Sequence, residues 1–299
     1  MQTEETRNKD EEILKKRWLN KRALEVTCYV CGAGAFGVFI RWLQLMLAFN
    51  DDGLVDASIF NVLVPLMVIA SAYVFLRFVD NFRADLWYVS DDYYEAFYNP
   101  GKIFSFLRWA IGMLMVIGSI VLLISSETDK DVTFMRILAL LGALTGIAFP
   151  IGLSCANKPH ATSIKTVCWC CFLPILMYCM WLVTCYKSNS INSVVWDYGP
   201  EAVAIILSII AFFRVAGFPF GSPNAWRTMF FCMLAAAVDI MIIADDRYIG
   251  MQIMFFAGAM MLVLYNWIFI VNMHQGEAPE EVEPDDGFER LQNRRKPKH

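Results

Sequence analysis

Long apolar runs alternate with short polar ones along this chain. From the amino end, the apolar stretches cover residues 23–49, 58–79, 102–125, 133–154, 166–186, 200–221, 225–244 and 250–272. About 20 mostly apolar residues, at 1.5 Å each, cross the hydrocarbon core of a bilayer. Whole stretches here lack the polar face that a helix on a soluble domain turns to water. The pattern predicts an all-α polytopic membrane protein, a bundle of about eight transmembrane helices joined mostly by short turns.

Two polar segments frame the bundle. Residues 1–22 are a charged lead-in with Ile13, Leu14, Trp18 and Leu19 at roughly helical spacing, which predicts a short interfacial helix. The run after it is too long for a signal-peptide core and is expected to stay as an anchor. Residues 273–299 begin acidic, end basic and contain Pro279, Pro284 and Pro297; a largely disordered cytosolic tail is expected.

Positive charge sets the orientation. Of the 25 Lys and Arg, twenty fall at the ends and loops on the side where the chain starts. Lys130, Arg136, Lys187 and Arg247 fall on the other side, and Arg41 lies inside the first run. Cationic loops are retained in the cytosol. Both termini are therefore expected there, with the protein in the plasma or inner membrane. The composition agrees: 58% of the 299 residues are hydrophobic, and a net charge of −4 argues against a nucleic-acid partner.

The clearest pointers to function are charges inside the bilayer, each costing several kcal/mol unless paired or wet. Arg41 and Asp239 lie at depths that differ by only about 5 Å, so a pair across the outer leaflet is one reading. A purely structural ion pair, or Arg41 snorkelling alone, is the other. Nearer the cytosol, Arg77, Arg108 and the deeper Arg214 could contact an anionic headgroup or a phosphorylated substrate. Span six ends in Arg214-Val-Ala-Gly217-Phe-Pro219-Phe-Gly221-Ser-Pro223. That composition breaks a helix, either as a binding-site discontinuity or as an ordinary turn. Pro65, Pro150 and Pro174 predict kinks.

The longest cytosolic loop, 80–101, places Phe82, Leu86, Val89, Tyr93 and Phe97 on one helical stripe. An aromatic helix lying at the headgroup level is expected there. Gly32, Gly34 and Gly37 match a dinucleotide fingerprint in spacing, but no strand precedes them. They read as helix-packing sites, like Gly142 and Gly146. Nine cysteines give no metal spacing with two halves and read as small apolar helix residues.

Three resemblances are carried by short motifs. Met113-Leu114…Gly118-Ser119-Ile120 is similar to Met233-Leu234…Val238-Asp239-Ile240, which suggests a four-plus-four parallel duplication. Asp91-Asp92-x-x-Glu95 resembles the aspartate-rich loops of UbiA-type prenyltransferases, which hold magnesium and a diphosphate. The matching loop here, Gly221–Trp226, has no acid, so half of that ligand set is missing. Val238-Asp239-Ile-Met-Ile-Ile-Ala244 resembles the second acidic motif of YhhN-type lysoplasmalogenases, eight-span ether-lipid hydrolases. Ser119 stands where the first motif would carry its acid.

No nucleotide, zinc-protease or nucleophile-elbow motif is present, and no metal or cofactor is expected. The leading expectation is a solute- or lipid-handling, permease-like protein without its own ATPase domain. Its partners would be the bilayer and an anionic lipid or small solute. The alternatives are an intramembrane lipid-modifying enzyme and a non-catalytic subunit or scaffold.

Overall fold

A computed structural model describes residues 2–47, 59–126, 132–158, 163–189 and 195–275. Its helices, in chain order, are α1 (Gln2–Leu47), α2 (Ile59–Ala84), the short α3 (Tyr93–Ala96), α4 (Lys102–Ser125), α5 (Val132–Ala156), α6 (Ile164–Ser188), α7 (Val195–Ala216), α8 (Ala225–Met241) and α9 (Ile249–Val271). A 3₁₀ turn, Ile242–Ala244, continues α8. Among the described residues, eight of these helices are long and apolar enough to cross a membrane, so the chain is a multi-pass membrane protein. The expected tail lies outside the described residues from 276 onward. The end that holds the start of α1 and the end of α9 is called proximal below, and the opposite end distal.

α9 is the axis. It packs against α1, α4, α7 and α8, while α4, α5, α6, α7 and α8 follow one another around it. α2 sits at the rim, against α1 and α8. Burial follows position: 78% of the apolar window of α9 is buried inside the protein, against 28% for α2. Lipid is as apolar as leucine, so burying side chains between membrane helices gains little from leaving water. Close packing must hold them together. The glycines show how. A Cβ on Gly112 would meet the Gly146 carbonyl, and one on Gly250 the Leu122 backbone, so α4 crosses both α5 and α9 almost backbone to backbone. Gly34 and Gly37 press on Ile240 and Met241 of α8, in accord with the packing reading. The four-plus-four duplication is not shown.

Two local expectations need correction, and at a third place one of two readings is decided. The lead-in is not a separate helix: α1 runs unbroken for 46 residues, about 70 Å, and projects past the bundle. The break after Arg214 is not a discontinuity within a span. α7 stops at Ala216, and residues 217–221 form a turn in which Ser222 N–H donates to the Gly217 carbonyl at 2.8 Å. Gly221 takes φ 76°, the left-handed conformation that glycine adopts without strain.

The aromatic loop is not one helix at the interface either. α2 continues to Ala84, Leu86 takes φ 55°, and the chain folds back under the bundle. Trp87–Tyr88 (β1) pairs antiparallel with His274–Gln275 (β2) just beyond α9. Trp18 of α1 stacks on Trp87 at 5.0 Å. Asn272 donates to the carbonyls of Ala96 and Tyr98, both at 2.9 Å, which latches the loop to the end of α9.

Candidate functional site

Polar side chains in the distal half of the bundle form two layers. The outer layer centres on Arg41, which is fully buried. Its Nε donates to Asp245 Oδ1 at 2.6 Å and its Nη2 to Asp245 Oδ2 at 3.3 Å. Nη2 also donates to the Asp197 carbonyl at 2.6 Å, and Nη1 to Gln44 Oε1 at 2.7 Å. Gln44, one turn along α1 on the same face, passes the chain to Asn61 of α2 at 2.8 Å. One guanidinium therefore ties α1 to α7 and to the segment between α8 and α9. Two-point contact with a carboxylate is the geometry that arginine's planar fork favours.

Beside it, Arg247 Nη2 lies 3.2 Å from Glu201 Oε2, and Trp181 Nε1 donates to Glu201 Oε1 at 3.4 Å. Burial pushes the Asp245 carboxyl above the usual aspartate range, and the Arg41 guanidinium pulls it part of the way back. Arg247 stays firmly cationic: burial works against its charge, and the carboxylates of Glu201, Asp245 and Asp197 outweigh that.

The inner layer is Asp239. Its carboxylate is fully buried near the middle of the bundle. The Ser208 hydroxyl lies 2.8 Å from Oδ2 and 3.0 Å from Oδ1, and the Tyr178 hydroxyl is 3.3 Å from Oδ2. Gly258 of α9 makes room for that phenol, because a Cβ there would collide with the Tyr178 oxygen. No cation touches Asp239 among the described residues. An acid with two hydroxyl partners and no counter-charge is costly to ionise in such a place, so it is suited to holding a proton or a cationic group.

Below Asp239, toward the proximal end, the packing turns aromatic. Tyr178 stacks on Phe212, and Phe212 meets Tyr265 edge-on. Tyr265 meets Phe97 at 5.3 Å, and Phe97 also touches Phe218 and Phe269. Phe97 is the fully buried tip of the folded-back loop, and Phe218 comes from the glycine–proline turn after α7. These two irregular segments close the proximal end with rings.

The sequence-predicted residues part company here. The expected Arg41–Asp239 pair does not form; Arg41 takes Asp245, six residues further on. α8 loses its regular winding at Met241, and the 3₁₀ turn carries Asp245 across to α1. Arg77 is exposed on α2. Arg108 donates to the Leu153 carbonyl and Ser105, and the Arg214 Nε is buried with no hydrogen-bond partner. Neither Arg108 bond reaches Arg77 or Arg214. Gly217, Pro219 and Gly221 form the turn that delivers Phe218. Ser119 donates to the Met115 carbonyl within its own helix, whereas Asp239 is held by Ser208 and Tyr178.

Sequence reasoning missed Asp245, Glu201, Ser208 and Tyr178. Glu201 and Ser208, seven residues apart on α7, share a face by helical period, as do Tyr178, Trp181 and Cys185 on α6. That recurrence was the available signal. No family model, no curated protein and no solved structure matches this chain.

Proposed function

We propose that this is a solute- or lipid-handling membrane protein without its own ATPase domain, and that its working centre is Asp239. The observation that carries the reading is a fully buried acid with no counter-cation among the described residues, held by Ser208 and Tyr178. It lies between an ion-paired layer on one side and an aromatic layer on the other. A group that binds and gives up a proton or a cationic moiety needs such a place, closed on both sides and opened in turn. The distribution of Lys and Arg supports a cytosolic proximal end, and with it a plasma or inner membrane. The lipid-hydrolase alternative is less well supported, because the Ser119 hydroxyl is committed to the Met115 carbonyl.

Dicyclohexylcarbodiimide tests this. It enters from the lipid phase and modifies protonated carboxyls. On the reconstituted protein, a centre that opens is expected to be modified at Asp239, faster at low pH, with no modification at that position in Asp239→Asn. If mass mapping finds other carboxyls modified while Asp239 stays intact at every pH, the acid is a sealed structural group and the reading fails.

A further inference from the structure

A cavity of about 530 Å³ opens at the distal end among α4, α5, α6, α7 and the start of α9. Its wall is divided. Val121, Met135, Ile249 and Met251 make an apolar side. Glu201, Asp246, Arg247 and Asn189 make a polar one. Cavities of a few hundred Å³ with a mostly apolar wall and a few converging polar groups are of ligand size.

The charges narrow the ligand class. Glu201 is almost completely buried, and the Arg247 side chain is 23% exposed where it meets it. The Arg247 Nε is buried with no hydrogen-bond partner, so this guanidinium has donor capacity that the protein does not use. Asp246 is exposed at the rim. Among the described residues of the lining, two acids beside one arginine disfavour a ligand that is only anionic, and one that is only cationic leaves the spare donor of Arg247 unused. A ligand carrying both charges replaces each partner of the Glu201–Arg247 pair in turn: its anion lies on Arg247, and its cation on Glu201 or Asp246. The apolar wall then takes a hydrocarbon chain.

We propose that this distal cavity binds a zwitterionic ammonium–phosphate group, either as the head of a single-chain lipid or as the free solute. Binding here does not require any role for Asp239, so it stands or falls separately from the proposed working centre.

The test uses the full-length protein in detergent, titrated by native mass spectrometry with three probes: lysophosphatidylethanolamine, lysophosphatidylglycerol and free glycerophosphoethanolamine, a phosphodiester with the same head charges as the first. Saturable one-to-one binding of lysophosphatidylethanolamine is expected, at least about tenfold tighter than the anionic lysolipid. Arg247→Gln should weaken it by about tenfold or more, while Arg247→Lys, checked for an unchanged melting temperature, retains part of it. Free glycerophosphoethanolamine binding as tightly as the lysolipid would assign the site to a solute; much weaker binding would assign it to a lipid. Equal binding of both lysolipids, undiminished binding by a folded Arg247→Gln protein, or no saturable binding of either zwitterion overturns the proposal.

Discussion

Among the described residues, the distal end of the bundle is held mainly by directional polar contacts, and the proximal end mainly by a cluster of rings beside the Asn272 latch. At the distal end, Arg41 alone reaches Asp245, the Asp197 carbonyl and Gln44, and each bond depends on one atom facing another. At the proximal end, Phe97 touches Tyr93, Phe218, Tyr265 and Phe269, so several rings share one packed volume. Buried charges fail sharply when one partner goes, because the other is left uncompensated in a poor solvent. Aromatic clusters fail gradually, because neighbouring rings shift to fill part of the space. A bundle closed in these two ways has one end sensitive to the loss of a single partner and one sensitive to lost volume.

The largest expected effect breaks the directional end. Arg41→Met leaves the Asp245 carboxyl buried without its guanidinium and should cost about 3–5 kcal/mol. That would appear as a large fall in melting temperature in detergent, with most of it recovered in the Arg41→Met/Asp245→Leu double variant. A single variant as stable as the wild type would show that the distal layer is not held by this pair. Phe97→Ala comes next. It should cost about 3 kcal/mol, the low end for a buried phenylalanine, and Phe97→Leu should restore most of it. If the leucine variant is as damaged as the alanine one, the proximal cluster depends on ring geometry rather than on filled volume.

The smallest effect concerns pH and sharpens the comparison. Burial holds the folded-state Asp245 carboxyl above its ordinary value despite Arg41. The folded protein therefore binds this proton more tightly than the unfolded chain does. The Asp245 contribution to stability falls as pH rises from about 4 through the raised value, and is level above it. Lowering the pH from 7 toward 4 should therefore raise the melting temperature of the wild type relative to Asp245→Asn. A relative fall would mean that the pull of Arg41 exceeds the effect of burial.

Much of this was legible in the residues because the hydrocarbon requirement is one-dimensional. A length of apolar sequence and the charges beside it suffice to place a span, and the expected 102–125 matches α4 (Lys102–Ser125) end to end. The partner of Arg41 was not legible. Counting 1.5 Å per residue along an unbroken helix led to Asp239, and the helix was not unbroken: its last turn tightens at Ile242 and moves Asp245 sideways. The stripe from Phe82 to Phe97 misled for a similar reason. Helical spacing was present, but Leu86 turns the chain left-handed and β1 pairs with a strand far along the sequence.

The sequence by itself determined the solvent, the approximate spans and the list of charges too costly to leave unpartnered in lipid. Each follows from local composition, because crossing hydrocarbon requires every backbone polar group to be satisfied within its own helix. Only the tertiary structure decided which charge meets which, that Asp239 is held by Ser208 and Tyr178 with no cation among the described residues, and that a cavity opens between Glu201 and the apolar wall of α4 and α5. Those depend on how helices rotate, end and approach one another. Contacts such as Gly112 on Gly146 set that arrangement, and composition along one helix does not.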